Sequence, residues 1–591
     1  MQTKHFFSEP NHLVLTALHS LTITNPSVAF DPENKIVFRR PDGSSSKVSV
    51  ISGGGSGHEP AFAGYVGKGL LTASVAGTIF ASPSAEQVRK AVMECVNTDK
   101  GVLILIVNYT GDVLNFGMAA EMAKAAGIPI EFLAIGDDVG VGRKKGGKVG
   151  RRGIGGSVLV LKIAGALAEL GASLEDVYRI ARLTTTNLVS LGSSLDRVHI
   201  PGHEFSELSP GESVPADEVE VGMGIHNEPG SHRMKSTTLD ELIRTMLLQL
   251  LDPTDQDRAY ITHETEDSFV LLINNLGGLS TLELCGITNE VFIRLVRDYN
   301  ITPVRTIQGT FLSSLNGLGF SISLLKLANT GLGPGRSMLE LLDAPAEAVG
   351  WAAPIRMSTW ANSSDIPVVL KKTKMAEEQP SNLKVDSALL KKTVSAGLKR
   401  LMDTEPLVTR FDTILGDGDC GVGLKRGAEA VLKLLEQTNL PDDMVVVMSK
   451  IAGVVENNMD GTSGAIYSIF LNSLVQGLRQ QDAGSTSVVT SQKWAAALNY
   501  SLSALGKYTP AQIGDRTLLD ALAPFCMVLM ETHDVRAAVK AAREGTEATK
   551  YMKASLGRSV YVGGEEEWLG KVPDPGAYGL CEFLVGLAEA I

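Results

Sequence analysis

His58, Asp112 and His226 each stand where an apolar run of this chain gives way to glycine or a turn, and each could act on a proton or a carbonyl. His58 ends Gly53 to His58 (GGGSGH), just past the strand-like Val48 to Ser52. Glycines let backbone N–H groups approach a ligand closely, and an imidazole beside them can serve as acid or base. Asp112 closes Asn108 to Asp112 (NYTGD), directly after Val102 to Val107 (VLILIV). Ligands of parallel sheets gather at the carboxyl ends of strands, so both residues fall where a pocket is expected. Taken singly, each reads equally as a turn residue or a helix cap. His226 lies in Gly222 to Gly230 (GMGIHNEPG), a constrained exposed turn in which a histidine is usually idle. His199 and His203 (HIPGH) stand four apart, but Pro201 and Gly202 break any helical face between them. No carboxylate joins them in HExxH spacing, which argues against zinc.

A second group of candidates is acidic. Asp412 precedes Gly416 to Gly421 (GDGDCG), which contributes Asp417 and Asp419. The stretch formally matches GxGxxG, but it sits among helical patterns rather than after a strand. Its carboxylates would also repel a pyrophosphate, so a dinucleotide turn is excluded. Three carboxylates are hard oxygen donors that suit Mg²⁺ held between protein and phosphate; the plainer alternative is a polar turn with a capping aspartate. Gly142 to Lys148 (GRKKGGK) fits seven positions of a P-loop, but the eighth is Val149, without the hydroxyl that ligates Mg²⁺. The six basic residues from Arg143 to Arg152 read instead as a solvated loop.

The elements that must carry these residues change style along the 591 residues. In the first part, strand-length apolar runs alternate with helical stretches such as Leu114 to Ala126 and Val158 to Leu170. That alternation predicts α/β architecture in two units, residues 1–195 and 196–360. Residues 361–384, rich in Ser, Lys, Glu and Pro, predict a linker. From 385 to 591 the pattern is helical: Leu390, Val394, Leu398 and Leu401 share one face, as do Leu424, Ala428, Val431 and Leu435. This part predicts an all-α domain.

Composition narrows the partners. A net charge of −12 argues against nucleic acid. Five scattered cysteines without a CxxC pair predict free thiols in a reducing compartment. No signal-peptide core and no apolar run of about 20 residues is present, so the expectation is a cytoplasmic protein that does not cross a membrane.

The order of the motifs resembles the single-chain, ATP-dependent dihydroxyacetone kinase family. GGGSGHEP, NYTGD, GIHNEPG, LINNLGGLS (Leu272 to Ser280) and GTFLSSLNGLGFS (Gly309 to Ser321) look like its substrate-binding half. GDGDCG, DGTSGAIYS (Asp460 to Ser468), GDRTLLDAL (Gly514 to Leu522) and DPGA (Asp574 to Ala577) look like its nucleotide-binding half. The resemblance implies two α/β units followed by an eight-helix barrel that binds ATP with two Mg²⁺, in a homodimer that can be domain-crossed. It implies that His226 holds the substrate carbonyl as a hemiaminal, with Asp112 as base for the terminal hydroxyl. His58 would exchange a proton with the hemiaminal oxygen, and Gly55, Ser56 and Gly57 would contact substrate. Asp412, Asp417 and Asp419 would hold the metals. Gly418, Asp419, Cys420, Gly421, Thr462, Ser463, Thr517, Leu518, Arg558, Asp574, Pro575 and Gly576 would meet the nucleotide. The implied substrate is dihydroxyacetone, with glyceraldehyde and related hydroxy-carbonyls, and not glycerol.

Two departures stand out. Val107 replaces a lysine that bacterial relatives carry before NYTGD, which bears on whether erythrulose or another sugar is preferred. The segment between Arg558 and Asp574 is longer and holds GGEEEW. Two other outcomes fit the family: FAD cleavage to a cyclic flavin phosphate at the same aspartates, as in some animal members, and a non-catalytic ligand sensor. A sensor would have lost the metal aspartates, which are all present here.

Overall fold

The computed structural model describes the chain apart from residues 1–3, 8, 42, 44, 202–212, 236–237, 353–354, 356–358, 361–378, 437–439, 460 and 557–567. It divides into two compact units, Met1–Val368 and Val369–Ile591.

The first unit holds two six-stranded sheets. Strands β1 (Val28–Asp31), β2 (Ile36–Arg39), β3 (Ser49–Ser56), β4 (Ala73–Ile79), β5 (Val102–Val107) and β6 (Ile130–Ile135) form the first, in the order β1-β2-β4-β3-β5-β6. From β4 through β6 its pairs are parallel. Every residue of β5 is buried, and the two-residue period of a strand sorts them between two cores. Leu103, Leu105 and Val107 face one apolar cluster; Val102, Ile104 and Ile106 face another with Phe116, Ala119 and Ala123 of the helix Thr110–Ala125. Each of these Val, Leu, Ile and Phe side chains contributes roughly 1.5–3 kcal/mol by burial.

The second sheet contains β7 (Leu188–Ser194), β8 (Glu218–Val221), β9 (His232–Lys235), β10 (Phe269–Asn275), β11 (Arg305–Gly309) and β12 (Gly319–Lys326), ordered β11-β10-β12-β7-β8-β9. Only β10 and β11 pair in parallel; the rest are antiparallel. Val270 and Leu272 of β10 join the cluster that Leu103 and Leu105 face, so one core runs between the sheets. The helices Ser157–Glu169 and Leu174–Thr186 fill that space. The opposite face of β10, through Phe269, Leu271 and Ile273, packs on the helices Leu239–Leu251 and Thr281–Tyr299. Strand β7 lies before the expected boundary at residue 195 yet pairs with β12 in the second sheet. The chain therefore changes sheets across the helical pair 157–186; both helices bury residues in the core shared by the sheets, so no linker-like stretch marks the passage.

The basic loop is solvated at Arg143, Lys144, Lys145 and Lys148, which are exposed, but not at Arg151 and Arg152. Arg152 pairs with buried Asp138 at 2.6 Å. Arg151 donates to the Leu188 carbonyl at 3.0 Å, and Arg143 to those of Gln256 and Ala259. Both Arg143 and Arg151 lie 4.1 Å from the Tyr260 ring centre. These guanidiniums tie loops together.

The second unit is helical. Its longer helices are Ser387–Leu415, Cys420–Glu436, Met444–Asn458, Gly461–Gln480, Ser491–Leu505, Leu519–Thr532, Val535–Ala548 and Pro575–Glu589. Leu424, Ala428, Val431 and Leu435 are all buried, as their spacing predicts. Of the expected linker, residues 361–378 lie outside the described residues. Its last residues belong to this unit: Leu383–Lys384 pairs with Ser487–Val488, and the Ser381 hydroxyl donates to Asp443. The five cysteines are free, and among the described residues no helix is long and apolar enough to cross a membrane.

Gly165 sits mid-helix, where alanine would ordinarily be stabilising by about 1 kcal/mol. A Cβ there would fall 2.2 Å from the Leu70 carbonyl oxygen. Gly165→Ala is expected to destabilise the first unit by about 1–3 kcal/mol instead, read by calorimetry as a lower melting temperature.

Candidate functional site

The first unit brings two of the candidate histidines into contact. His58 follows β3, His226 sits in the turn after β8, and their Nε2 atoms are 3.0 Å apart. The loop before β12 joins them. The Ser313 carbonyl accepts from His58 Nδ1 at 2.9 Å, and the Ser314 hydroxyl donates to the Ile225 carbonyl at 2.6 Å. Asn274, at the end of β10, props that loop: its Oδ1 accepts from the N–H groups of Phe311 and Leu312, and its amide donates to the Leu312 carbonyl. Both sheets thus contribute to one pocket.

A carbonyl oxygen only accepts, so the Ser313 contact assigns a proton to His58 Nδ1 and leaves Nε2 with its lone pair. Burial and the neighbouring His226 push His58 down to about 3, so its resting form is neutral. Phe80 stacks on His58 at 5.2 Å and meets His226 edge-on. Tyr109 also stands edge-on to His226, with its hydroxyl buried and, among the described residues, without a hydrogen-bond partner.

Asp112 lies in the first turn of the helix Thr110–Ala125 and is 5% exposed. Burial, only partly offset by a hydrogen bond from Ser82 and the nearness of His226, pushes it up to about 6. One oxygen, Oδ1, has no hydrogen-bond partner among the described residues. The expected substrate contacts of Ser56 and Gly57 are partly taken up within the protein. The Ser56 hydroxyl donates to Gly77, the Gly57 N–H to Glu59, and the Gly57 carbonyl accepts from Leu315. Close packing leaves Gly55 no room for a side chain: a Cβ would lie 2.8 Å from Ala81 N. Val107 is buried in the core between the sheets, beside Gly153. His199 contacts His5 at 3.3 Å; His203 lies outside the described residues.

The second unit carries the acidic candidates. Asp412 is in the last turn of Ser387–Leu415, and Asp417 and Asp419 lie on the turn before Cys420–Glu436. Carboxylate oxygens of the three lie within 4.8 Å of one another. Asp412 also accepts from the Cys420 N–H at 3.0 Å, which ties the metal-type cluster to a helix N-terminus. Three converging carboxylates repel one another unless a cation lies among them, and an all-oxygen donor set fits Mg²⁺.

The cluster opens on a cavity of about 480 Å³. Thr462, Ser463, Thr517, Leu518, Asp574, Pro575 and Gly576 line it with Asp419 and Cys420. Gly421 does not; it is buried where a Cβ would strike Thr409, so it serves helix packing. Gly418 bends the turn at φ +80° and is not on the wall. Arg558 lies outside the described residues. Asp574 caps the helix Pro575–Glu589 by accepting from the Ala577 N–H, and burial pushes it up to about 6. Burial likewise pushes Cys420 up to about 12, leaving a thiol.

Several functional neighbours were absent from the sequence reading. Ser313, Ser314 and Asn274 lie in motifs that carried no assigned role. Glu228 follows His226 by two residues, and Arg516 precedes Thr517. Arg516 is 1% exposed, lines the cavity, and has one nitrogen, Nη1, without a hydrogen-bond partner among the described residues.

An α/β unit with paired histidines, followed by a helical unit with a carboxylate-lined cavity, defines a two-domain chain of Dak1 followed by DAK2: residues 19–350 match the Dak1 domain and 414–589 the DAK2 domain. The dihydroxyacetone kinase of Pichia angusta is 42% identical over 607 residues, covering 100% of this chain and 99% of that protein. The triokinase/FMN cyclase of Homo sapiens is 34% identical and covers 97% of each. The crystal structure of the dihydroxyacetone kinase from C. freundii in complex with AMP-PNP and Mg²⁺ aligns with TM-score 0.64 at 31% identity, over 100% of both chains. The chain belongs to the single-chain dihydroxyacetone kinase family.

Proposed function

We propose that this chain transfers the γ-phosphoryl group of ATP to the terminal hydroxyl of dihydroxyacetone and related short hydroxy-carbonyls. The observation that carries the reading is the 3.0 Å contact between buried His58 and half-buried His226, with buried Asp112 near His226. His226 Nε2 bonds to the substrate carbonyl carbon as a hemiaminal, which selects carbonyl compounds over glycerol and fixes the terminal hydroxyl for in-line attack. Asp112 takes the proton of that hydroxyl. Asp412, Asp417 and Asp419 would hold two Mg²⁺, which neutralise charge on the triphosphate when bound. The cavity beside them is read as the nucleotide site, with Thr462 and Ser463 toward phosphate. The eight long helices described for this unit support an eight-helix barrel. The reading extends to a cytoplasmic homodimer.

Val107 leaves the substrate preference to a panel of dihydroxyacetone, glyceraldehyde, erythrulose and glycerol. The similarity to triokinase/FMN cyclase supports a second outcome at the same aspartates, read as AMP release from FAD with Mn²⁺.

Replacing His226 by Ala is expected to abolish the substrate adduct in native mass spectra; an undiminished adduct would place the covalent bond elsewhere. Asp417→Asn is expected to lower phosphoryl transfer by at least roughly a hundredfold while the adduct persists, because Mg²⁺-borne charge stabilisation is lost. Near wild-type turnover would sink the metal assignment. Asp112 acts as a base only when ionised, and its carboxyl sits at about 6. Activity is therefore expected to be full above that value and to fall about tenfold per unit as pH drops below it. A profile flat down to pH 4.5 would remove Asp112 from the role.

A further inference from the structure

Glu228 grips His226 at two points. Its Oε1 accepts from the ring Nδ1 at 3.0 Å, and its Oε2 from the His226 backbone N–H at 2.9 Å. The turn that presents both is braced throughout. The Gly224 N–H donates to the Glu228 carbonyl at 2.9 Å, and Asn227 exchanges two hydrogen bonds with the Val198 backbone. Beside Gly224 lies the Arg152 guanidinium, anchored on Asp138 and on the Gly222 carbonyl. A Cβ on residue 224 would fall 2.0 Å from Glu228 Oε2 and 2.5 Å from Arg152 Nη1, so the glycine is what lets the two charges converge. Burial alone would raise the Glu228 carboxyl, but its bonds to His226 outweigh that and hold it at about 2.

We propose that Glu228 is a positioning residue for the covalent step, keeping Nδ1 of His226 protonated and stabilising the positive ring of the adduct. The inference rests on the hemiaminal reading above. The hydrogen-bond pattern sets the proton count. His58 already uses its only ring proton on Ser313, so its Nε2 can only accept. His226 Nε2 then donates to it, while Nδ1 donates to Glu228, so the resting ring carries both protons and its positive charge already faces Glu228. For the reaction, the Nε2 proton passes to His58. The freed lone pair forms a bond to the carbonyl carbon as the C=O π pair moves onto oxygen. His58 then returns its proton to that oxygen. The product is a neutral hydroxyl on a ring that carries carbon at Nε2, hydrogen at Nδ1 and a positive charge facing Glu228. No proton enters or leaves, and His58 ends as it began.

A carboxylate that acts by charge and a side chain that acts by shape are separated by two variants. Glu228→Gln keeps the shape and loses the charge; Glu228→Asp keeps the charge on a shorter arm. Native mass spectrometry of the full chain with dihydroxyacetone reads adduct formation, and ¹⁵N NMR of histidine-labelled protein reads the Nδ1 proton of His226. The formation constant is expected to fall on the order of ten- to a hundredfold in the Gln variant, the range for a hydrogen bond to a charged group. The Asp variant should retain more adduct than Gln, with Nδ1 still protonated. Wild-type adduct in folded Gln variant, or Gln equal to or better than Asp, overturns the proposal. Should the Gln variant not fold, the Asp variant decides: full adduct with Nδ1 unprotonated overturns it, and adduct with Nδ1 protonated supports it. An absence of any adduct in the wild-type chain would instead overturn the hemiaminal reading itself.

Discussion

The contact between His58 and His226 is the interaction on which the rest of the first unit depends. Two imidazole nitrogens at 3.0 Å are tolerable only if one carries a proton and the other does not. That asymmetry is imposed from outside the pair, by the Ser313 carbonyl on one ring and the Glu228 carboxylate on the other. The Ser313–Ser314 loop reaches the two turns that bear the histidines, and Asn274 holds the loop. A hydrogen-bonded chain therefore runs from the core of the second sheet to the end of a strand in the first.

The two units solve opposite electrostatic problems. In the first, charge is removed from solvent: His58 is neutral and Asp112 is poised near neutrality by burial. In the second, three carboxylates converge on a turn with two of them exposed, an arrangement suited to an incoming cation. A carbonyl site benefits from fixed partners that impose a proton arrangement, here one neutral carbonyl and one carboxylate. A triphosphate carries its own charge and needs counter-charge delivered with it.

Much of this was legible in the residues. The alternating apolar runs gave the strands and helices of the first unit because β5 is buried on both faces and its residues are uniformly apolar. The helical spacing at Leu424, Ala428, Val431 and Leu435 gave a buried stripe. The order of motifs marked the three acidic residues and both histidines. What was not legible depends on distance along the chain. Ser313 and Asn274 act on His58 across more than two hundred residues or through a loop, and serine and asparagine carry no signal of their own. The place where the chain changes sheets carries no linker signal, because the helices Ser157–Glu169 and Leu174–Thr186 follow one another directly and bury residues in the same core. Arg151 and Arg152 were read as solvated because spacing cannot reveal Asp138 or the Leu188 carbonyl waiting beneath them.

The bridging loop has a thermodynamic corollary. Because the pocket exists only while both sheets are docked through Ser313, Ser314 and the shared core, a ligand bound there senses their association. Occupancy must raise the stability of the docked arrangement by mass action. Conversely, a core substitution such as one in β10, far from either histidine, weakens ligand affinity if it lets the sheets part, without altering a single group that touches the ligand.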